Sequence, residues 1–419
     1  MSSPDVKRRR SLTHVGGAAV TSGDRELAAL LARALDVRPA PPPSGTEGAA
    51  DDPDRVHVHG FHAYPARIHP ATAACLVRAM SRDGATVLDP FCGSGTVIVE
   101  AMLAHRSAIG TDLNPLAVKL ARLKTALPDA PARALMVSAA EGVGAFATER
   151  RKRRAGATKR YPPEDVELFD PHVLLELDSI QAAIATRSDP DPTLRDALEL
   201  VLSAILIKVS RRVSDTSAAV TPRRLAAGFA TKLFVSKAQE LARRLGEFAA
   251  LVPPGTSRAR IEVDDAAKLR TLGASTVDAV VTSPPYVSTY DYLAQHSARL
   301  RWLKLDSARF AASEMGARRR FVRLGASEAR TAWSRELGEV LRSIRRVCRP
   351  SARVVMVLAD SAVQDEALRA DTILAAVARD TGFTLLARAS QSRPHFHAGT
   401  ARAFQDRPRA EHAIALQKD

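Results

Sequence analysis

The chain has 419 residues, 26% of them charged, and Lys and Arg outnumber Asp and Glu to leave a net charge of +15 at pH 7. That length holds one large domain with an insert, or two domains, and the basicity suits a polyanionic partner unless it reflects a generally arginine-rich surface. Three distant cysteines, Cys75, Cys92 and Cys348, exclude a disulfide framework and point to a reducing, cytoplasmic setting, while the apolar runs are too short or interrupted to span a membrane and no signal peptide is visible.

Residues 1–55 open on Lys7-Arg8-Arg9-Arg10 and close with a Pro/Gly/Ser-rich stretch from Pro39 to Gly48. This composition predicts a mostly disordered basic tail, whose charges either touch nucleic-acid phosphates or are simply solvated. Within it, Asp24 to Leu35 has the spacing of one amphipathic helix, capped by Ser22 or Asp24. Next comes a segment with four histidines, His57, His59, His62 and His69. It contains no cysteine or acidic residue at ligand spacing, so no metal site is expected. It leads into a helix over Ala71 to Met80.

The stretch Thr86 to Ala101 reads as a strand, a tight glycine turn and a helix. Val87 and Leu88 form the buried strand and Asp89 ends it. Gly93 and Gly95 permit backbone angles and close ligand approach that a Cβ would forbid, and Thr96 to His105 has helical apolar spacing. This is the pattern of the first turn in a doubly wound nucleotide-binding sheet. Ile98 stands where a dinucleotide fingerprint needs a third glycine, and no Gly-Lys-[Ser/Thr] follows, which excludes a P-loop. A second strand, Ser107 to Leu113, carries Asp112, placed to accept both hydroxyls of a ribose. Asp89 repels phosphate but favours an ammonium or sulfonium group. A nucleoside with a cationic tail fits both, and S-adenosyl-L-methionine is such a molecule. Asn114 then caps a helix running to Lys124, with Pro115 at its first position.

Residues 128–256 interrupt the alternation of strands and helices. Ala139 to Thr148, Asp196 to Lys208 and Leu225 to Ala249 are helical in pattern. Between them lie the basic clusters Arg150 to Arg154 and Lys159 to Arg160, and the polar stretch Ser210 to Ser217. This reads as a helical insert beside the cleft, its basic clusters holding phosphates and its hydroxyls meeting bases or backbone, or as a structural hairpin with solvated arginines. A third strand follows at Ala259 to Asp265. Asp264 or Asp265 lies where such folds meet an adenine, unless it caps a helix starting at Ala266.

An apolar strand over Val277 to Val281 runs into Ser283-Pro284-Pro285-Tyr286, where the proline pair stops the strand and stiffens the turn. Beyond it, a helix carries Arg299, Arg301 and Trp302, and Glu314 to Arg320 reads as a mobile loop. Aromatics interleaved with arginines suit base stacking and phosphate contacts. Arg335 to Val347 and Asp371 to Arg379 read as helices. Ala352 to Leu358, Phe383 to Ala387 and Ala413 to Leu416 read as the closing strands.

Asp89-Pro90-Phe91-x-Gly93-Ser94-Gly95-Thr96 with a later Ser283-Pro284-Pro285-Tyr286 resembles the amino-methylating DNA methyltransferases. These transfer methyl from S-adenosylmethionine to N4 of cytosine or N6 of adenine. The resemblance covers segments near 57–126 and 258–419. It implies an α/β fold, a Rossmann-like S-adenosylmethionine-dependent methyltransferase sheet with helices on both faces, formed by 56–127 and 257–419 and carrying 128–256 as its helical insert. It places Asp89, Pro90, Phe91, Gly93, Gly95, Thr96, Asp112, Leu113 and one of Asp264 and Asp265 around the cofactor. Phe61, Tyr64 and Pro65 would close over its methionine end, with cation–π attraction to the sulfonium.

The chemistry explains the second motif. An exocyclic base amine is a poor nucleophile because its lone pair is delocalised into the ring. Two acceptors aimed at its N–H bonds draw the nitrogen toward tetrahedral geometry. Ser283 Oγ and the Pro284 carbonyl are the candidates, with Pro285 stiffening the turn and Tyr286 stacking on the base. Transfer is then a direct displacement organised by proximity. Tyrosine rather than cysteine after Pro285 disfavours carbon-5 methylation, and a duplex substrate requires base flipping. Within the resembled family, serine in the first position leans toward cytosine N4. Nothing of useful size follows the last strand, so sequence recognition would come from 128–256, from the loop after Tyr286, or from a separate specificity or restriction partner. Two other readings are an RNA guanine-N2 methyltransferase and a non-catalytic nucleic-acid-binding protein on the same fold.

Overall fold

In the computed structural model the described residues are 17–37, 56–187, 191–215, 219–221, 224–393 and 398–419. The strands are β1 (Val20–Gly23), β2 (Thr86–Asp89), β3 (Ser107–Asp112), β4 (Arg260–Val263), β5 (Val277–Thr282), β6 (Cys348–Ala359), β7 (Ser361–Val363), β8 (Glu366–Leu368), β9 (Phe383–Ser392) and β10 (Ala410–Lys418). Eight of them form one sheet in the order β1-β9-β10-β6-β5-β2-β3-β4, and β7 and β8 make a separate hairpin. The run from β6 to β4 is parallel, whereas β10 is antiparallel to both of its neighbours and β1 to β9.

The central strands are apolar on both faces, as a parallel sheet covered by helices requires. Side chains alternate between two cores. Val87, Ala279, Val281, Val355 and Val357 point into one. Leu88, Val280, Val354, Met356 and Leu358 point into the other. Helices α1 (Arg25–Leu35), α2 (Pro70–Met80), α3 (Thr96–Leu103) and α4 (Pro115–Lys124) cover the first face. From β2 the chain winds outward to β3 and β4, then returns to β5 and winds the other way to β6. The C-terminal ends of β2 and β5 therefore flank the topological switch point, where such sheets open a crevice.

In the N-terminal region the expected helix capped by Asp24 is present, preceded by a strand that the sequence does not signal. β1 extends the sheet, pairing Val20 with Ser390 and Gly23 with Ala387. α1 buries Leu27, Leu31 and Leu35, and Asp24 is its cap, accepting the Leu27 N–H at 2.8 Å. Gly23 has φ 88, and a Cβ there would meet the Leu386 carbonyl oxygen at 2.3 Å. A four-residue Val-Thr-Ser-Gly strand is too short and polar to declare itself in sequence. Lys7 to Arg10 and Pro39 to Gly48 lie outside the described residues.

Five helices stand between α4 and β4: α5 (Ala130–Lys152), α6 (Pro163–Leu168), α7 (Pro171–Arg187), α8 (Pro192–Val209) and α9 (Phe229–Leu251). α6 and α7 were not anticipated. Their apolar positions, among them Leu168, Val173, Leu177 and Ile180, join the same core as α1 to α4. The remaining helices are α10 (Tyr292–Trp302), α11 (Ala308–Ser313), α12 (Arg318–Phe321), α13 (Ala326–Val347) and α14 (Ala370–Asp380), with α13 and α14 covering the second face.

Three expectations from the sequence are corrected by this packing. Arg299 and Trp302 are buried rather than turned outward, and the half-buried Arg301 is tied to an acid. Arg299 is buried and ion-paired to Asp215, and its Nε donates to the Ser203 carbonyl at 3.2 Å. Arg301 Nε and Trp302 Nε1 both donate to Asp165 Oδ1, each at 3.1 Å. Trp302 also stacks on Tyr161, with centroids 5.5 Å apart. Acidic partners from 84 to 137 residues away turn these side chains inward, and no local pattern could reveal them. Second, Glu314 to Arg320 is not a free loop: the buried Glu314 accepts the Tyr292 N–H at 2.7 Å and pairs with Arg319, while Arg320 pairs with Glu336 at 2.6 Å. Third, no helix starts at Ala266. The segment is a turn ended by Leu269 at φ 44.

Burial without enough solvation lowers the Arg299 guanidinium to about 9. Removing its carboxylate partner leaves a buried charge uncompensated. Asp215→Ala should cost about 3 kcal/mol, read as a lower urea midpoint with an unchanged slope.

Candidate active site

A cavity of about 370 Å³ opens over the C-terminal ends of β2, β3, β4 and β5. Its floor is the glycine turn. The Cys92 N–H is bonded to the Thr111 carbonyl at 3.0 Å, tying the turn to β3. Gly95 precedes α3 at φ 87, and a Cβ there would meet the Ala121 Cα at 3.0 Å. Only glycine both adopts that angle and lets α3 and α4 approach.

Two carboxylates face the cavity. Asp89 Oδ1 accepts the Thr282 hydroxyl at 2.6 Å and the Phe91 N–H at 3.1 Å. Desolvation outweighs these bonds and pushes its carboxyl up to about 7. Asp112 Oδ2 accepts the Gly93 N–H at 2.9 Å and Oδ1 the Asn114 N–H at 2.8 Å. Desolvation raises its carboxyl to about 6. Thr96 lines the cavity with a buried hydroxyl that has no hydrogen-bond partner among the described residues. Tyr64 forms a wall. Its ring stacks on His296 at 4.7 Å and its hydroxyl accepts from Asn114 Nδ2 at 3.2 Å.

At the rim beyond β4, the two adjacent aspartates differ. Asp264 accepts the Thr271 N–H and hydroxyl, each at 2.8 Å, and the Asp265 N–H at 2.8 Å. Asp265 accepts the Ala267 N–H at 3.0 Å and pairs with Lys268 at 2.9 Å, keeping 13% of its side chain exposed. Opposite them, Ser283 and Pro285 line the cavity. Tyr286 donates its hydroxyl to Glu411 Oε1 at 2.9 Å, and Arg393 holds the other oxygen of Glu411 at 2.8 Å.

The cavity thus gathers Tyr64, Asp89, Pro90, Phe91, Gly93, Thr96, Asp112, Leu113, Asp264, Asp265, Ser283 and Pro285. Five expected residues do not line it. Phe61 packs in the core with Lys237 Nζ 5.4 Å from its ring centroid, so it cannot close over a ligand. Gly95 is spent on helix packing. Pro65, Pro284 and Tyr286 also lie outside the lining. Sequence reading missed Asn114 as a wall residue, and Phe310, Met315 and Glu339, which come from elements with no motif. Tyr292, part of the aromatic run after the second motif, is the one whose signal was visible.

The histidine segment also looks different in three dimensions. The fold brings Glu100 from α3 to His59 Nε2 at 2.7 Å, with the His57 ring tilted against that of His59 at a centroid distance of 4.8 Å. An acidic partner therefore exists, although 41 residues away. Desolvation lowers His57 to about 4 and raises Glu100 to about 7. Arg67, Lys124 and Arg244 bear on these groups and oppose a further cation.

A family model described as DNA methylase matches residues 42–123, the part that holds the glycine turn and Asp112. The chain is 34% identical over 68 residues to the type II methyltransferase M.MjaII of Methanocaldococcus jannaschii, covering 16% of this chain and 13% of that protein. It is 39% identical over 80 residues to the ribosomal protein L11 methyltransferase of Ectopseudomonas mendocina, covering 18% and 27%. Among solved structures, TrmN from Thermus thermophilus aligns over 84% of this chain and 49% of its own at 14% identity, with a TM-score of 0.32. Sheet order and cavity position define a Rossmann-like α/β fold. Over residues 42–123 the family match bears out the resemblance to the amino-methylating DNA methyltransferases. Among the described residues no helix is long and apolar enough to cross a membrane.

The raised Asp89 carboxyl has a consequence for stability. Folded, it holds its proton up to about 7, against an ordinary 3.8. In that window the folded state binds more protons than the unfolded one, so stability falls as pH rises. Asp89→Asn should therefore melt higher than the parent at pH 8, with the gap closing toward pH 4, as read by calorimetry.

Proposed function

We propose that the chain transfers methyl from S-adenosylmethionine to an exocyclic amino group of a DNA base, with N4 of cytosine favoured over N6 of adenine. The observation that carries this is the hydrogen bond from Thr282 to Asp89, 2.6 Å long and 193 residues apart in sequence. It locks the residue preceding Ser283 onto the carboxylate that opens the glycine turn. Cofactor and base subsites thus share one cavity.

The residues present fit the cofactor. Asp112 keeps a lone pair on each oxygen for ribose hydroxyls, and Asp89 offers a desolvated carboxylate to a cationic tail. Thr96 offers an unpartnered hydroxyl. Asp265, more exposed than the triply bonded Asp264, faces the adenine. Bound there, S-adenosylmethionine supplies a methyl group on a positively charged sulfur. Ser283, which lines the cavity, orients the amine by accepting an N–H bond on Oγ, and Tyr64 excludes water. DNA phosphates meet the exposed Lys152 at the end of α5 and Arg154 and Arg160 in the segment that follows it. With Arg299 buried and Arg301 paired to Asp165, sequence recognition falls to the helical segment 128–256 or to a separate specificity partner.

Nucleosides from DNA and RNA of cells expressing the chain, analysed by mass spectrometry, test this reading. N4-methylcytosine in DNA is expected, and Ser283→Ala with Tyr286→Ala should abolish it. N6-methyladenine would replace the base assignment, and methylguanosine confined to RNA would replace the polymer. An unaltered mark in the double variant would remove Ser283 and Tyr286 from the site.

Cofactor binding should also depend on pH. Only the ionised Asp89 attracts a cation, and its proton is held to about 7 in the free protein. Affinity should fall as pH drops from 8 to 6, with proton release on binding near neutrality. Calorimetry in two buffers of different ionisation enthalpy reads both effects.

A further inference from the structure

We propose that Lys124, buried beneath the glycine turn, makes the Ser94 hydroxyl a donor toward the cavity, so that the head of α3 takes the carboxylate of the cofactor's amino-acid tail. The proposal rests on the S-adenosylmethionine reading of the cavity and not on the choice of methyl acceptor. That tail is a zwitterion. Asp89 suits its ammonium group, and its carboxylate needs donors and a cation of its own.

Lys124 ends α4 with its side chain fully enclosed. Its Nζ donates to Ser94 Oγ at 3.1 Å, its one hydrogen bond among the described residues, and no described carboxylate pairs with it. The titratable groups that share its surroundings are Arg67, His59 and His62, none of them acidic. Desolvation, with Arg67 adding to it, holds the lysine well below its usual range. A charge enclosed with one neutral partner lacks the counter-ion that its burial requires. An anion at the turn supplies it.

The charged ammonium can only donate, so Ser94 Oγ accepts from Lys124. The Ser94 O–H is then left without an acceptor among the described residues, and Ser94 lines the cavity. Two residues on, the buried Thr96 hydroxyl lines the same cavity and has no partner there either. Gly95 between them caps α3 with no side chain, so the N–H groups of the first turn go uncapped, and Val97 of that turn also lines the cavity. Two hydroxyl donors, an uncapped helix start and an enclosed cation meet at one end of the cavity. Arg67, whose Nη1 donates to the His59 carbonyl at 2.7 Å, lines the cavity too and adds charge of the same sign. Lys124 is thus a positioning residue acting through Ser94.

Calorimetric titration of the full chain with S-adenosylmethionine, and with its decarboxylated form, tests this. The second ligand keeps the sulfonium and the amine and lacks only the carboxylate. The parent should bind S-adenosylmethionine about tenfold more tightly, the worth of a hydrogen bond to a charged group. Lys124→Met, which removes the charge, should lose that preference by weakening S-adenosylmethionine alone. Binding of the decarboxylated form should hold or improve, since a buried cation no longer repels it. Ser94→Ala should act in the same way, and the double variant should be no weaker than either single one. Thr96→Val removes a hydroxyl that bonds to nothing in the free protein, so it keeps the fold and should still lower the preference. A parent with no preference, equal weakening of both ligands in the variants, or a preference that survives all three substitutions would overturn the proposal while cofactor binding stands. A parent that binds neither ligand would overturn the cofactor reading and the proposal with it.

Discussion

The bond between Thr282 and Asp89 is the constraint on which the site depends. It joins β5 to β2 at the place where the sheet reverses its winding, and the two motifs meet nowhere else in sequence. Without that contact the glycine turn would still be a ligand-binding turn, and Ser283 to Tyr286 would still be a stiff strand end. Neither would define a reaction. Parallel pairing of Val87 with Ala279 and Leu88 with Val280 sets the register that makes the contact possible, and the apolar faces of both strands hold that register through burial on both sides.

The same site carries a standing electrostatic cost. Asp89 and Asp112 are both enclosed near the head of the turn, and desolvation raises both carboxyls despite the backbone N–H groups aimed at them. Groups shifted this way in a cleft are poised for a charged ligand. A cationic tail would restore the ionised form of Asp89 and relieve the penalty.

How much of this was legible in the sequence depended on the range over which each signal acts. The glycine turn, the helix caps at Asp24 and Asn114 and the alternating strands rest on residues within a few positions of one another, and the structure has them. The paired motifs were legible because family resemblance supplied the distant partner. The burial of Phe61, the inward turn of Arg299 and the docking of β1 were not, since each is decided by Lys237, Asp215 or Leu386, far along the chain. The histidine segment shows the same limit, because its acidic partner Glu100 lies on another helix.

Net charge is therefore a poor guide to which arginines meet a polyanion. Arg299 and Arg301 stand in the stretch that looked most like a nucleic-acid surface, yet their guanidinium groups fasten α10 to the helical segment through Asp215 and Asp165. An arginine with a buried carboxylate partner has already exchanged water for protein, and moving it to a phosphate would strand that carboxylate. The basic residues at the end of α5 that have stayed in water keep their charge available. The division between fastening and binding arginines follows from the acids that each one reaches, and only the folded chain puts those acids in place.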